Sequence, residues 1–396
     1  MTISTNTSPL RGLKVIEFSH MIMGPSVGLI LADLGAEVIK VEPIGGDKTR
    51  RLKGAGAGYF PMFNRNKKSV CIDLKSEKGA KLAKRLIKTA DIFIENMRPG
   101  ALDKLGFGYD TLSSENPALI YCSEKGFLSG PYEHRTALDE IAQMMGGLAY
   151  MTGPPGRPLR AGASVIDITG GMFGVIGILA ALRERDSTGK GCQVTASLFE
   201  TTVFMVGQHM AQKSVTGEAA KPMPARTSAW AIYDVFDTLD EEKIFVGVVS
   251  DTQWPVFCKT FDFEDWLNDK TLKENNARVA RRDEIIPIVR DAFAHIEKQK
   301  LLDALEKAGL PYAPIARPED LFEDPHLSQS GGLIDITLPD GTDTRLPALP
   351  IEFDQKRPSR NANPPQPGAD TRSVLEAFDI DKEEIEKMIS ETVIGT

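Results

Sequence analysis

Asp167 stands in RAGASVIDITGG, residues 160–171, just ahead of a long apolar stretch. A carboxylate in that position has two uses. As an N-cap it accepts a hydrogen bond from the first free amides of a helix. Held ionised by the same amides and by the helix dipole, it could instead attack an activated acyl carbon. Gly170 and Gly171 remove side chains where a ligand would have to approach. The local pattern, read as a short apolar strand, a turn and a long buried helix, leaves both uses open.

Basic groups gather in two further places. Arg65, Lys67, Lys68 and Lys75 cluster in FNRNKKSVCIDLK, and Asn96, Arg98 and Lys104 in ENMRPGALDKLGFGYD. Ligands of open α/β sheets sit beyond the carboxyl ends of the strands. These groups could therefore converge on a phosphorylated ligand, or form a solvated basic face. The first βα turn, SHMIMGPSVG, leads into a helix and then a strand ending in Glu42, an arrangement that imitates a dinucleotide site. It carries only Gly24 and Gly28 in place of G-x-G-x-x-G, which argues against NAD. The four cysteines and five histidines are scattered, with no CxxC and no HExxH, so neither a metal site nor a disulfide frame is expected.

The elements that would position these residues alternate. Apolar runs at 14–18, 37–42, 69–74, 91–97 and 118–123 read as strands, and 24–34 and 77–90 carry helical spacing, with Gly35 placed to end the first helix. Such βαβ repetition argues for a parallel sheet with helices on both faces. A further helix is expected at 136–150, a strand at 193–198 and a helix at 200–215. We divide the chain into a large α/β domain (1–200), a linker helix (201–222), a small α+β domain (223–318), a second linker (319–338) and a Pro-rich return to the large domain (339–396). The 396 residues suit two or three domains. With 47 basic and 55 acidic residues the net charge is −8, which disfavours nucleic acid as a partner. The apolar run 170–182 is shorter than the ~20 residues of a membrane span, and 1–14 lacks the pattern of a secretory signal. A cytoplasmic protein with reduced thiols is expected.

Taken in order, these segments resemble the class III CoA-transferases, the family of formyl-CoA:oxalate and carnitine CoA-transferases. The resemblance is carried by LRGLKVIEFSHMIMGPSVGLILADLGAEVIKVE, FNRNKKSVCIDLK, ENMRPGALDKLGFGYD, ALDEIAQMMGGLAYMTG, GASVIDITGGMFGVIGILAALRERDSTGKG, DPHL and LPALPIEFD. It implies a Rossmann-like large domain with a parallel sheet, a smaller α+β domain, and a homodimer of interlocked rings. It places the catalytic aspartate on Asp167, which would pass through an acyl-aspartyl anhydride and an aspartyl-CoA thioester. CoA contacts map onto His20, Ile22, Met23, Ile72, Asp73, Leu74, Lys75, Asn96, Met97, Arg98, Lys104, Arg135 and Asp139. Lys75, Arg98 and Lys104 would suit the phosphates, and Ile72 and Met97 the adenine. No permanently bound cofactor or metal is implied; CoA and acyl-CoA are substrates, with succinyl-CoA among the donors and a small carboxylic acid as acceptor.

The sequence also departs from that pattern. Ile22 stands near the place of a glutamine in formyl-CoA transferase, and 225–233 (ARTSAWAIY) has no glycine run where that enzyme has a glycine-rich lid. Oxalate is therefore not carried over as the acceptor. Arg226 and Trp230 occupy the lid position, where an arginine could grip the distal carboxylate of a diacid. The related 2-methylacyl-CoA racemases have a histidine before the helix aspartate where this chain has Leu138, so a two-base proton transfer lacks a partner. A racemase or isomerase, and a CoA-binding protein without activity, are the alternatives.

Overall fold

The computed structural model describes residues 8–226, 228–358 and 362–396. The residues 1–7 read above for a signal lie outside the described part, as do 227 and 359–361 within the lid and return segments. The chain forms two compact units, one from the residues up to Pro224 together with Pro325–Thr396, the other from Ala225–Asp324.

The first unit is built on a seven-stranded sheet. Its strands are β1 (Lys14–Phe18), β2 (Glu37–Glu42), β3 (Lys67–Ile72), β4 (Ile92–Glu95), β5 (Ile120–Lys125), β6 (Gln193–Ser197) and a short last strand, Ile394–Gly395. From one edge the order is the last strand, then 3-2-1-4-5-6. All pairs are parallel except the last strand, which runs antiparallel to β3 and closes that edge with the end of the chain. This is the doubly wound order, which reverses between β1 and β4.

Alternation along each strand makes two cores. Ile16, Phe18, Ile39, Val41, Val70, Phe93 and Tyr121 pack against α2 (Glu77–Lys88) and the C-terminal helices. Val15, Val38, Ile92, Ile94, Ile120 and Cys122 face α1 (Met23–Asp33) and α5 (Val165–Thr188). Near-continuous apolar strands are what burial on both faces requires.

Several expected boundaries move, for identifiable reasons. β3 begins two residues early because the Lys67 amine finds Glu17 2.8 Å away in the interior, so a cation can sit inside a buried strand. The 136–150 helix is divided into α3 (Asp139–Met145) and α4 (Leu148–Thr152) by Gly146–Gly147, the latter at φ +86°. No strand precedes Asp167, since α5 already begins at Val165. Nor is α5 buried throughout. It is the one helix among the described residues long and apolar enough to cross a membrane. One side packs on α1 and β5, while Met172, Ile176 and Leu179 stay exposed; α6 (Leu198–Thr216) packs beside it through Phe204 on Phe173, and its own Phe204 and Met210 are exposed too.

The second unit pairs antiparallel strands Tyr233–Asp237, Lys243–Gly247 and Tyr312–Pro314. Phe236, Phe257 and Phe293 fill its core beneath the helices. All four cysteines are unpaired.

Candidate active site

The sheet's reversal point is where the two neighbouring strands send their connections to opposite faces, leaving a crevice at their carboxyl ends. The loop after β1 and the residue after β4 meet there. Asn96 accepts the His20 amide on its Oδ1 (3.0 Å) and donates through Nδ2 to the His20 carbonyl (2.8 Å). Lys40 donates to the Ser19 carbonyl at 2.6 Å, and Met21, at φ +64°, donates its amide to Thr49 Oγ1. The loop is thus held from three sides as it enters α1. The helix starts without a side-chain cap, so its first amides, at Met23 and Gly24, remain available.

A cavity of about 810 Å³ opens over this loop. Asp167 lines it from the first turn of α5. It is not the N-cap: Ser164 holds that position and makes no side-chain bond. Capping comes instead from α3, where Asp139 accepts the amides of Ile166 (2.9 Å) and Asp167 (3.1 Å) on one carboxylate oxygen. Its other oxygen takes the Gln143 side-chain amide at 2.5 Å, and Gln143 in turn accepts the Ala161 amide. Arg160 lies 3.5 Å from Asp139 and 3.1 Å from Glu140. Relieved of capping, the Asp167 carboxyl is raised to about 7, first by loss of solvent, then by the neighbouring Asp139 charge, with Arg160 pulling the other way.

Of the residues singled out from the sequence, the cavity brings together His20, Ile22, Met23, Asn96, Met97, Arg98, Arg135, Asp139 and Asp167. Arg135 stacks over Tyr132 (5.0 Å), and neither Arg98 nor Arg135 has an ion-pair partner among the described residues. Ile72, Asp73, Leu74, Lys75 and Lys104 are not on the wall of the cavity. Ile72 is a core residue, Leu74 packs against that core, and Asp73 accepts the Lys75 amide in the turn before α2. Lys75 and Lys104 are exposed. Arg226 and Trp230 belong to the second unit, where Arg226 is exposed and Trp230 packs on Tyr233 at 4.9 Å.

The basic segment divides: Lys75 is exposed and Lys68 is half-buried against Glu37 at 2.6 Å, while Arg65 and Lys67 turn inward. Neither Arg65 nor Lys67 lines the cavity or faces solvent. Arg65 pairs with Asp33 at 2.6 Å, and Lys67 with Glu17, inside the protein. Burial drives the Lys67 ammonium down to about 8, against the pull of Glu17. Tyr59, Glu124, Arg160 and Ser164 also line the cavity and were not singled out as ligand contacts. No periodicity marks them; Glu124 directly follows the 118–123 run, Arg160 and Ser164 stand within RAGASVIDITGG, and only the fold turns them inward. Among the described residues no group of His, Cys, Asp and Glu could hold a metal ion.

A doubly wound sheet with a carboxylate nucleophile candidate at the crevice defines a class of α/β enzyme, and comparison with known proteins specifies which. CoA-transferase family III matches residues 10–371, and the chain belongs to this family of enzymes. Succinyl-CoA:glutarate CoA-transferase from Mus musculus is 32% identical over 394 residues, covering 98% of this chain and 90% of the relative. Succinate–glutarate CoA-transferase from Agrobacterium fabrum is 34% identical, covering 88% and 92%. The crystal structure of a CAIB/BAIF family protein from Brucella suis superposes with a TM-score of 0.83 at 33% identity, covering 94% of this chain and 100% of that one.

Proposed function

We propose that this enzyme moves CoA from succinyl-CoA to a small dicarboxylic acid, with Asp167 as the covalent carrier. The reading rests on one observation: Asp167 lines the crevice cavity from a helix start that another carboxylate, Asp139, already caps. Its side chain is thereby left without a structural duty. The glutarate transferases among the relatives favour succinyl-CoA as donor and a diacid as acceptor.

The Asp167 carboxylate attacks the thioester carbonyl, the C–S bond breaks, and a mixed anhydride and CoA thiolate result. The thiolate attacks the aspartyl carbonyl, releasing succinate and forming an aspartyl-CoA thioester. The acceptor carboxylate attacks that thioester and regenerates the thiolate with a second anhydride. Attack of the thiolate on the acceptor's carbonyl then frees Asp167. Every leaving group is a carboxylate or a thiolate, so the cycle balances without a general acid. Leu138, rather than a second base, stands on the wall next to Asp139. The amides at the start of α1 suit the oxyanions that form, and Arg98 and Arg135 suit the CoA phosphates. Incubation with succinyl-CoA and hydroxylamine should convert Asp167 to a hydroxamate detectable by peptide mass spectrometry. An unmodified Asp167, or an Asp167→Ala protein that retains full activity, rejects the scheme.

The same reading includes a second copy of the chain. Met172, Ile176, Phe204 and Met210 leave an apolar face on α5 and α6 uncovered within one chain. Light scattering should give twice the chain mass; a monomer at micromolar concentration counts against it.

A further inference from the structure

On β5, Cys122 and Glu124 point to the face covered by α1 and α5, while Glu95 of β4 pairs with Lys125 at 2.6 Å. Glu124 is 2% exposed and lines the cavity that holds Asp167. Its carboxyl lies flat against α5 at Gly174, two turns beyond the nucleophile. A Cβ at 174 would fall 2.0 Å from Glu124 Oε1. That oxygen accepts the Cys122 thiol at 3.2 Å, whereas Oε2 has no hydrogen-bond partner among the described residues. Buried polar atoms nearly always have partners, so Oε2, itself enclosed, is a polar atom the chain does not satisfy, on a residue that lines the cavity.

We infer that Glu124 is a substrate-binding residue that donates a hydrogen bond from Oε2 to an oxygen acceptor of the bound acyl-CoA. The inference rests on the acyl-CoA reading above but not on the covalent route through Asp167. The acceptor is a carbonyl or carboxylate oxygen, either of the pantetheine arm or at the far end of the acyl chain. Donation requires the acid form. Burial holds the group at about 8, with Glu95 adding to the rise and Lys125 and the Cys122 thiol opposing it. α5 brings Asp167, two turns away, and α1 presents Val27 there, its own Asp33 being bonded to Arg65 and Asn66. The proton is therefore in place at pH 7 and is lost at higher pH.

The test is calorimetric binding of CoA, butyryl-CoA and succinyl-CoA to the wild type, Glu124→Met and Glu124→Gln, with KM for succinyl-CoA from pH 6 to 9.5. Removing a neutral donor should weaken binding by about five- to tenfold in E124M at pH 7. E124Q keeps an N–H donor and recovers most of that loss. The wild-type KM rises above pH 8, and the E124Q profile is flat there. Weaker binding of all three ligands places the acceptor on the pantetheine; weaker binding of succinyl-CoA alone places it on the distal carboxylate. E124M with wild-type thermal stability and wild-type affinity for all three overturns the inference. An Asp167 adduct forming normally in that variant would leave the covalent scheme standing while this inference falls.

Discussion

Asp139→Asn should move the acid limb of the kcat/KM profile to lower pH. In the proposed scheme the ionised form of Asp167 attacks, so with its carboxyl held at about 7 wild-type activity should rise as pH passes through that value. For a carboxylate that holds a residue's backbone amide, a separation on the order of 6 Å from that residue's own carboxyl is taken. At an effective dielectric of about 20 such a pair repels by about 3 kcal/mol, or about 2 pH units at most. The amides on Asp139 and the nearby Arg160 neutralise part of the charge, so a shift of about 1 unit is expected. Asn retains an oxygen for the Ile166 and Asp167 amides, and the helix start survives. Its NH2 group, however, faces the Gln143 amide, which cannot turn over without abandoning Ala161. That mismatch should cost about 1 kcal/mol of stability. The assay is kcat/KM for succinyl-CoA between pH 5 and 9, alongside a thermal melt. A folded variant whose limb stays within about 0.3 unit of the wild type refutes the electrostatic argument, and a limb displaced upward reverses it.

Three other substitutions bear on the same architecture. Asp167→Asn should abolish turnover and stabilise the fold. A carboxyl raised from 3.8 to about 7 opposes folding by about 1.4 kcal/mol per pH unit across that window. The gain in Tm over wild type should be near zero at pH 4, grow to its plateau by pH 8, and contradict the burial account if it shrinks instead. Gly28→Ala would set a Cβ 1.8 Å from Glu17 Oε2 and break the fully buried Glu17–Lys67 pair. A loss of about 3 kcal/mol or more in urea unfolding is expected, and an unaltered midpoint would mean that Glu17 has room to turn away. Asn96→Ala deletes both bonds to the His20 backbone, and kcat should fall about tenfold while CoA affinity changes little. A drop confined to affinity would assign Asn96 to binding rather than to loop geometry.

How far the sequence carries depends on the range of the interaction. β1 and β2 keep their expected limits because an apolar run bounded by polar residues is a local signal. Asp167 was readable for the same reason, being a carboxylate ahead of an apolar helix. Its actual setting was not. The group that caps α5 is Asp139, 28 residues upstream, and only the docking of α3 delivers it. Arg65 and Lys67 are plainly basic in the sequence, but Asp33 and Glu17 lie 32 and 50 residues away, and no local pattern tells a paired buried cation from a free one. The terminal strand at 394–395 is two residues long and exists only because β3 offers an edge.

The placing of Asp167 beside the start of α1 has one further physical cause, which is how closely α5 lies on α1. Gly170 takes the Met23 side chain, with a Cβ there falling 2.6 Å from its methyl; Gly171 takes the Met23 carbonyl and Ser26; Gly174 takes Glu124. Three glycines on one face of α5 let that helix lie close on the start of α1, with Asp167 and Met23 on the wall of the same cavity. The first two were read as room for a ligand, yet most of that room is occupied by the protein itself. What the glycines set is the spacing between Asp167 and Met23. Gly171→Ala should therefore leave CoA affinity near wild type and lower kcat, since a Cβ there falls 2.8 Å from the Met23 carbonyl and must displace the backbone at the start of α1; unchanged kcat with weakened CoA binding would return Gly171 to the role of ligand clearance.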